Sequence, residues 1–428
     1  MRELAAWPQV YHPNGVSNPP ARTLSPISVY WTAFIGLFFD YYDLYLFIYL
    51  ERVLAAEFSL SVTASNGLQF TGMAGVGLGA LVFGFLADRW GRGRMMLVVF
   101  AVYVVGIAGI SLAWSFESLL AFRLIASLAL GAEWGISHAF MSEHVGAERR
   151  YRYAALLQFS ILGGLLAALV TRYTLPVTGW RWLFAASIIP VAILSVIRWR
   201  ALAHARIEPM DLPLVTTGDR VQEAPGIVVE MKLRSVGQPL PPDSWIGPFL
   251  RCLAIASLTI ASGMVNVFFA KELPQGPLYT VMFWANVAPG MLLGAWIVRR
   301  TGVRRALLGY AVGLMGLSLY AWSSDWDGRK LAFALVLPLL NGIPFGLMGA
   351  YFNEVFAAYR TMLSGSAYNL GRILAGFAPV LITALGLHSG GNYFLFTAAL
   401  GIGVLAVGWG IPEQRTRRDE PPGHRVTY

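Results

Sequence analysis

Two aspartates three residues apart, Asp40 and Asp43, stand inside Phe38-Phe39-Asp40-Tyr41-Tyr42-Asp43-Leu44-Tyr45-Leu46-Phe47, a run otherwise apolar or aromatic. Arg123 and Glu133 fall in a second apolar run, and Arg372 in a third. An ionisable side chain at bilayer depth is expensive, so a chain that carries several invites a functional explanation. The chemistry open to them is proton carriage and anion binding. A carboxylate without a cation partner in a low-dielectric site takes up a proton far more readily than one in water. A guanidinium facing a cavity can hold both oxygens of a carboxylate with its planar fork.

The elements that must position these groups are membrane-spanning helices. Of 428 residues, 56% are hydrophobic and 13% charged, about half the charge of a soluble globular chain. Apolar runs long enough to cross roughly 30 Å of hydrocarbon fall at 28–50, 69–88, 95–116, 119–142, 153–175 and 180–199, then at 249–270, 277–298, 305–323, 330–352, 363–387 and 391–411. The reading is an all-α integral membrane protein of twelve transmembrane helices in two six-helix bundles. Residues 28–199 and 249–411 form the bundles, 200–248 a cytoplasmic linker rich in Pro and charge, and 1–27 and 412–428 cytoplasmic tails. Two bundles joined this way suggest a secondary transporter built from repeats.

Charge placement sets the expected orientation. With both termini cytoplasmic, 24 of the 32 Lys+Arg fall on cytoplasmic segments or span ends and 6 on outer ones, and the remaining two, Arg123 and Arg372, lie deeper within spans. That is the bias of the positive-inside rule. The net charge of +9 is therefore membrane topology, and nucleic acid is not an expected partner. The one cysteine, Cys252, excludes an internal disulfide framework and a Cys-based metal cluster. Residues 1–27, punctuated by Pro8, Pro13, Pro19 and Pro20, lack the apolar core of a cleavable signal peptide.

At 1.5 Å per residue, Asp40 lies near the midplane and Asp43 about 5 Å further out, on the same helix face. Arg123 lies about 11 Å outward and Glu133 about 4 Å inward, so Asp43 and Arg123 can meet while Asp40 and Glu133 have no obvious cation in their half. Asp40 is the first choice for proton carrier and Glu133 the second; the alternative is that the aspartates are ion-paired supports for helix packing. Arg372, about 4 Å inward in its span, suits a substrate clamp, or else a salt bridge to Glu354. Asn341 ahead of Pro344, Asn286 ahead of Pro289, Gln158 and Tyr42, with Tyr41 and Tyr45, are further candidates for lining the substrate site; each alone is more often an interhelical contact.

Gly75-x-Gly77-x-Gly79 sits mid-span and reads as a close-packing face rather than a nucleotide loop. His138, Glu143 and His144 lack metal-ligand spacing. There is no Walker loop and no nucleophile with its base, so ATP-driven transport and enzymatic chemistry are not expected, and no cofactor or metal is required.

The loop after the second span, Gly84-x-x-x-Asp88-Arg89-x-Gly91-Arg92-x-Arg94, resembles the signature between helices 2 and 3 of the major facilitator superfamily. The resemblance implies that fold and a charged gating latch at this loop. The loop after the eighth span aligns on Gly302 with Gly91, but Arg299 replaces the aspartate. Phe122-Arg123-x7-Gly131-Ala132-Glu133-Trp134, Asp40-Tyr41-Tyr42-Asp43, and Glu354, Arg360 and Gly365-x-x-Tyr368-Asn369-x-Gly371-Arg372 are similar to the metabolite:proton and aromatic-acid:proton symporter branches. Glu354 and Arg360 stand one residue closer than in that pattern. The expected function is proton-coupled import of a small organic anion, an aromatic acid ahead of an aliphatic one, by a monomer in the bacterial inner membrane. Its partners would be the organic anion, protons and the lipid bilayer. A proton-driven exporter and a non-transporting sensor on the same scaffold stay open as alternatives.

Overall fold

A computed structural model of the chain describes residues 25–204, 242–264, 276–323, 330–356, 358–387 and 391–412. The tails and most of the expected linker lie outside the described residues. The described chain is helical throughout: α1 Pro26–Glu57, α2 Val62–Trp90, α3 Arg92–Ser111, α4 Phe116–His144, α5 Ala147–Gln158, a 3-10 turn Phe159–Leu162, α6 Gly163–Thr178 and α7 Trp180–His204 in the first half, then α8 Pro242–Met264, α9 Gly276–Ser323, α10 Lys330–Val355, α11 Arg360–Ala375, α12 Ala378–Ala384 and α13 Tyr393–Trp409 in the second. Nine helices among the described residues are long and apolar enough to cross a membrane, and Tyr393–Trp409 is a shorter apolar one.

Helix ends lie beyond the apolar runs because backbone hydrogen bonding continues into the interface, where polar side chains are tolerated. Thus α1 starts at Pro26 under a cap from Ser25, whose Oγ accepts from the Ser28 amide at 3.2 Å. It ends at Glu57, so its 32 residues span roughly 48 Å. The second half begins earlier than its apolar run suggests, with Pro242–Trp245 already helical.

The repeat is visible in backbone geometry. Gly91, between α2 and α3, has φ 95° and ψ 138°; Gly302, within α9, has φ 82° and ψ 163°. Both breaks need a residue without Cβ, so the aligned loops turn the same way although only one carries an aspartate. Packing repeats too. α2 crosses α4 so closely that a Cβ on Gly79 would strike the Leu128 carbonyl and one on Gly131 the Val76 carbonyl. α9 crosses α10 in the same way through Gly294 against Ile343 and Gly346 against Met291. Small residues let helices approach where water supplies no driving force between them, and Gly75 and Gly79 form such a face against Ser127 and Leu128.

The halves meet along α2 with α11, α4 with α11, and α5 with α9 and α10. Large apolar side chains such as Phe70, Leu78, Val82, Ile193, Val196 and Val380 point away from this seam and are exposed, the face lipid requires.

Candidate functional site

Three helices converge at the seam. α1 supplies Leu37, Asp40, Tyr41 and Leu44, α4 supplies Leu130 and Trp134, and α11 supplies Arg372; together they line a cavity of about 20 Å³. That is room for roughly one water. Two breaks set the geometry. α5 tightens into the 3-10 turn immediately after Gln158, and α11 ends three residues after Arg372, where the Gly376 amide donates back to the Arg372 carbonyl at 3.1 Å.

The walls are aromatic. The indole of Trp134 lies parallel to the Tyr368 ring, with centroids 3.9 Å apart and planes 4° apart. The Tyr41 and Tyr368 hydroxyls share a hydrogen bond of 2.9 Å across the halves. The Arg372 guanidinium lies 6.0 Å from the Tyr368 ring centroid. Trp134 Nε1 donates to Gln158 Oε1 at 3.2 Å, and Gln158 Nε2 donates to the Phe345 carbonyl of the second half at 3.5 Å. His138, its ring 4.5 Å from Trp134 and tilted 46° to it, shares the Gln158 oxygen at 3.3 Å.

Asp40 and Arg372 therefore face one cavity from opposite halves, as their depths suggested. Asp43 and Arg123 are both buried and attract through space without closing an ion pair, and the Arg123 guanidinium instead covers the Phe47 ring at 3.6 Å. Glu133 has a cation that the sequence reading did not assign. Arg198 Nη2 donates to Glu133 Oε1 at 2.8 Å, and both side chains have no exposed surface. Arg198 closes the apolar run 180–199 as Arg198-Trp199-Arg200, where an arginine ordinarily faces the interface; α7 continues to His204 and draws it inside. A basic residue within two positions of a span end was the only available signal.

The other candidates divide. Gln158 belongs to the seam. Tyr42 turns into the first half, donating to the Leu183 carbonyl at 3.3 Å, and Tyr41 takes the cavity face instead. Asn341 sits in the second half, its Oδ1 accepting from Ser262 and Tyr310 hydroxyls at 3.4 Å each. Asn286 is half-buried on α9, and α10 runs unbroken through Pro344.

The signature loop ties the halves at one end. Asp88 Oδ1 accepts from the Thr361 amide at 3.1 Å and Oδ2 from the Met362 amide at 2.9 Å, so its carboxylate caps the start of α11. A negative charge there also complements the helix dipole. Arg92 pairs with Asp88 at 2.7 Å and Glu143 at 3.2 Å and donates to Thr361 Oγ1 at 3.1 Å. Gly84 lies against the Met362 backbone, while Arg89 and Arg94 are exposed. Glu354 accepts from Arg150 at 3.2 Å and from the Tyr151 hydroxyl at 2.6 Å. Tyr359, stacked on Phe85 at 5.9 Å, holds a left-handed backbone at φ 48° just before α11, a strained position for a residue with a Cβ. Glu143, set aside in the sequence for want of metal spacing, belongs to this network.

A bundle of apolar helices in two halves, with charged groups facing one another across the seam and a charged latch at one end, is the build of a membrane carrier. The chain belongs to the Major Facilitator Superfamily, whose family model matches residues 33–376. It is 26% identical over 404 residues to the niacin transporter NiaP of Acinetobacter baylyi, covering 86% of this chain and 90% of that protein. It is 27% identical over 392 residues to the cis,cis-muconate transport protein of the same organism, with 88% and 89% covered. The gentisate transporter of Corynebacterium glutamicum is 24% identical over 401 residues, with 90% and 87% covered. Among solved structures, the proton:xylose symporter XylE superposes with a TM-score of 0.67 at 15% identity, covering 91% of this chain and 96% of that one. The chain is a multi-pass transporter-family protein and not an enzyme.

Proposed function

We propose that this protein is a proton-coupled symporter that imports a small planar organic carboxylate, an aromatic acid ahead of an aliphatic one, by alternating access. The observation that carries the reading is the shared cavity of Asp40 and Arg372, one from each half. When the halves part and widen the cavity, Arg372 takes the substrate carboxylate bidentately, and Tyr41 with Trp134 and Tyr368, which stack on each other in the closed seam, offer flat faces to its conjugated skeleton. Asp40 takes the proton that neutralises the cavity so that the loaded halves can rock about the site. Asp43 and Arg123 attend it in the first half, and Asn286 and Asn341 support the second.

The relatives named for niacin, muconate and gentisate, all planar conjugated carboxylic acids, favour this substrate class. Twelve crossings follow if α9 spans twice, turning at Gly302, and if α10 and α13 each cross once. The positive-inside bias puts the tails and the Asp88 loop in the cytoplasm, so the latched seam corresponds to a carrier closed on that side. The protein is proposed to act as a monomer in the bacterial plasma membrane, with no cofactor.

The test is uptake of radiolabelled nicotinate, gentisate and muconate into proteoliposomes under an imposed pH gradient. The expected result is accumulation that collapses when the gradient is dissipated, is lost in Asp40→Asn and is weakened at least tenfold in Arg372→Lys. Gradient-driven accumulation unchanged in Asp40→Asn overturns the coupling scheme.

A further inference from the structure

Arg198 and Glu133 form an ion pair with no exposed surface, and each also leaves one polar atom, Arg198 Nη1 and Glu133 Oε2, without a hydrogen-bond partner. Arg198 is fully buried on α7, donates from Nε to the Thr32 carbonyl at 2.8 Å and from Nη2 to the same oxygen, and covers the Phe100 ring at 3.9 Å. Glu133 takes Arg198 Nη2 at 2.8 Å and the Ser137 hydroxyl at 2.9 Å on the same oxygen, leaving Oε2 buried without a hydrogen bond. The pair lies against Gly36 of α1, where a Cβ would overlap both Arg198 Nη2 and Glu133 Oε1. Gly36 is one helical turn before Asp40, so three helices bring this pair up beside the cavity carboxylate.

The charges that act on Asp40 are Glu133 of α4, Asp43 of its own helix, Arg198 of α7 and Arg372 of α11. Arg123 of α4 acts on Asp43. His138, the other titratable group on this stretch of α4, bonds Gln158 and packs on Gly349. Three carboxylates thus share one region: among the described residues Glu133 closes an ion pair with Arg198, Asp43 has the buried Arg123 guanidinium attending it, and Asp40 faces the cavity, where Arg372 is the group left to meet a substrate carboxylate. A buried carboxylate that is paired and hydrogen-bonded resists protonation, and one that is not yields to it.

We propose that Arg198 is a positioning residue for proton coupling: by holding Glu133 as the anion of a closed ion pair, it leaves Asp40 as the carboxyl group that takes the proton. The assignment deepens the proton-coupled reading above and rests on it. With Glu133 kept as the anion of its pair, one substrate carboxylate is matched by one proton at Asp40.

The test is infrared difference spectroscopy of the purified full-length protein without substrate, following the C=O stretch of protonated carboxyl groups as pH is lowered. In the wild type one such band is expected to titrate. It should vanish in Asp40→Asn and survive in Glu133→Gln. Arg198→Gln should add a second band, which Glu133→Gln removes in the double variant, and Arg198→Lys should keep a single band. A wild-type band that disappears with Glu133→Gln, no titrating band at all, or an unaltered single band in Arg198→Gln overturns the proposal. If Arg198→Gln does not fold, the assignment between Asp40→Asn and Glu133→Gln decides it. Failure of the transport reading shows separately, as absence of acid uptake by the wild type, whatever the infrared bands do.

Discussion

Asp88→Asn should loosen the seam at the latch end without disturbing the helices. In the folded chain the Asp88 carboxylate accepts from two backbone amides of α11 and from Arg92, at 2.7–3.1 Å, with 6% of its side chain exposed. Hydrogen bonds to a charged group contribute about 1.5–3 kcal/mol each and neutral ones about 0.5–1.5. Removing the charge weakens the two bonds at Oδ1 by about 1 kcal/mol each, and the amide NH2 that replaces Oδ2 cannot accept from the Met362 amide, a further loss of at least about 1 kcal/mol. Part of this is recovered because Arg92 keeps Glu143 as a partner. A net loss of about 2 kcal/mol against the latched state corresponds to roughly a thirtyfold shift in the population ratio. The assay is pulsed electron–electron spin resonance between labels on Arg149 and Arg300, exposed positions on α5 and α9, one in each half. The longer-distance population should rise by about that factor, and the gain should shrink when the substrate binds the latched state. A distance distribution identical to the wild type would refute the assignment of the Asp88 carboxylate as the latch.

Further expectations follow from the same geometry. Glu354→Gln removes an ion pair whose partners are about a quarter exposed, so its effect in the same spin-label assay should be small, near twofold, corresponding to about 0.5 kcal/mol; a shift as large as that of Asp88→Asn would contradict this ranking. Trp134→Leu removes the indole that lines the cavity with Asp40 and Arg372, whose stacking on a planar ligand would contribute about 0.5–1.5 kcal/mol. Calorimetric titration with a planar aromatic acid should show binding weakened by up to about tenfold, and an unchanged Kd would argue that the ring face does not contact the substrate. Gly79→Val drives a Cβ into the Leu128 carbonyl, an overpacking of about 1–3 kcal/mol or more. A lowered melting temperature of the purified protein is expected, and wild-type melting would show that α2 and α4 can part at no cost.

Much of the site was legible one helix at a time. Composition and run length announce spanning helices because an unpaired backbone group in hydrocarbon leaves few other options. A rise of 1.5 Å per residue brings Asp40 and Arg372 to similar depths, and the structure seats them on one cavity. The glycines of α2 read as a packing face and act as one. What failed was rotational phase and helix ends. Tyr41 and Tyr42 are neighbours with the same chemistry, yet the 100° turn between them puts one on the cavity and the other inside the first half. Arg198 stood at the edge of an apolar run, and edge arginines are ordinarily interfacial; α7 runs on for less than two further turns, to His204, and Arg198 is a core residue.

The sequence by itself determined that the chain is built of membrane helices, that several of its apolar runs carry ionisable groups, and that the Asp88 loop carries a charged motif. These are properties of local composition, length and depth, and a single helix carries them. Tertiary structure alone decided the partners: that Arg198 closes on Glu133, that Asp43 and Arg123 attract without a hydrogen bond, that Trp134 lies flat on Tyr368, and that Asp88 caps the start of α11. Those pairings join residues tens to hundreds of positions apart, and their geometry depends on how each helix is rotated about its own axis against its neighbours, which no one-dimensional pattern encodes.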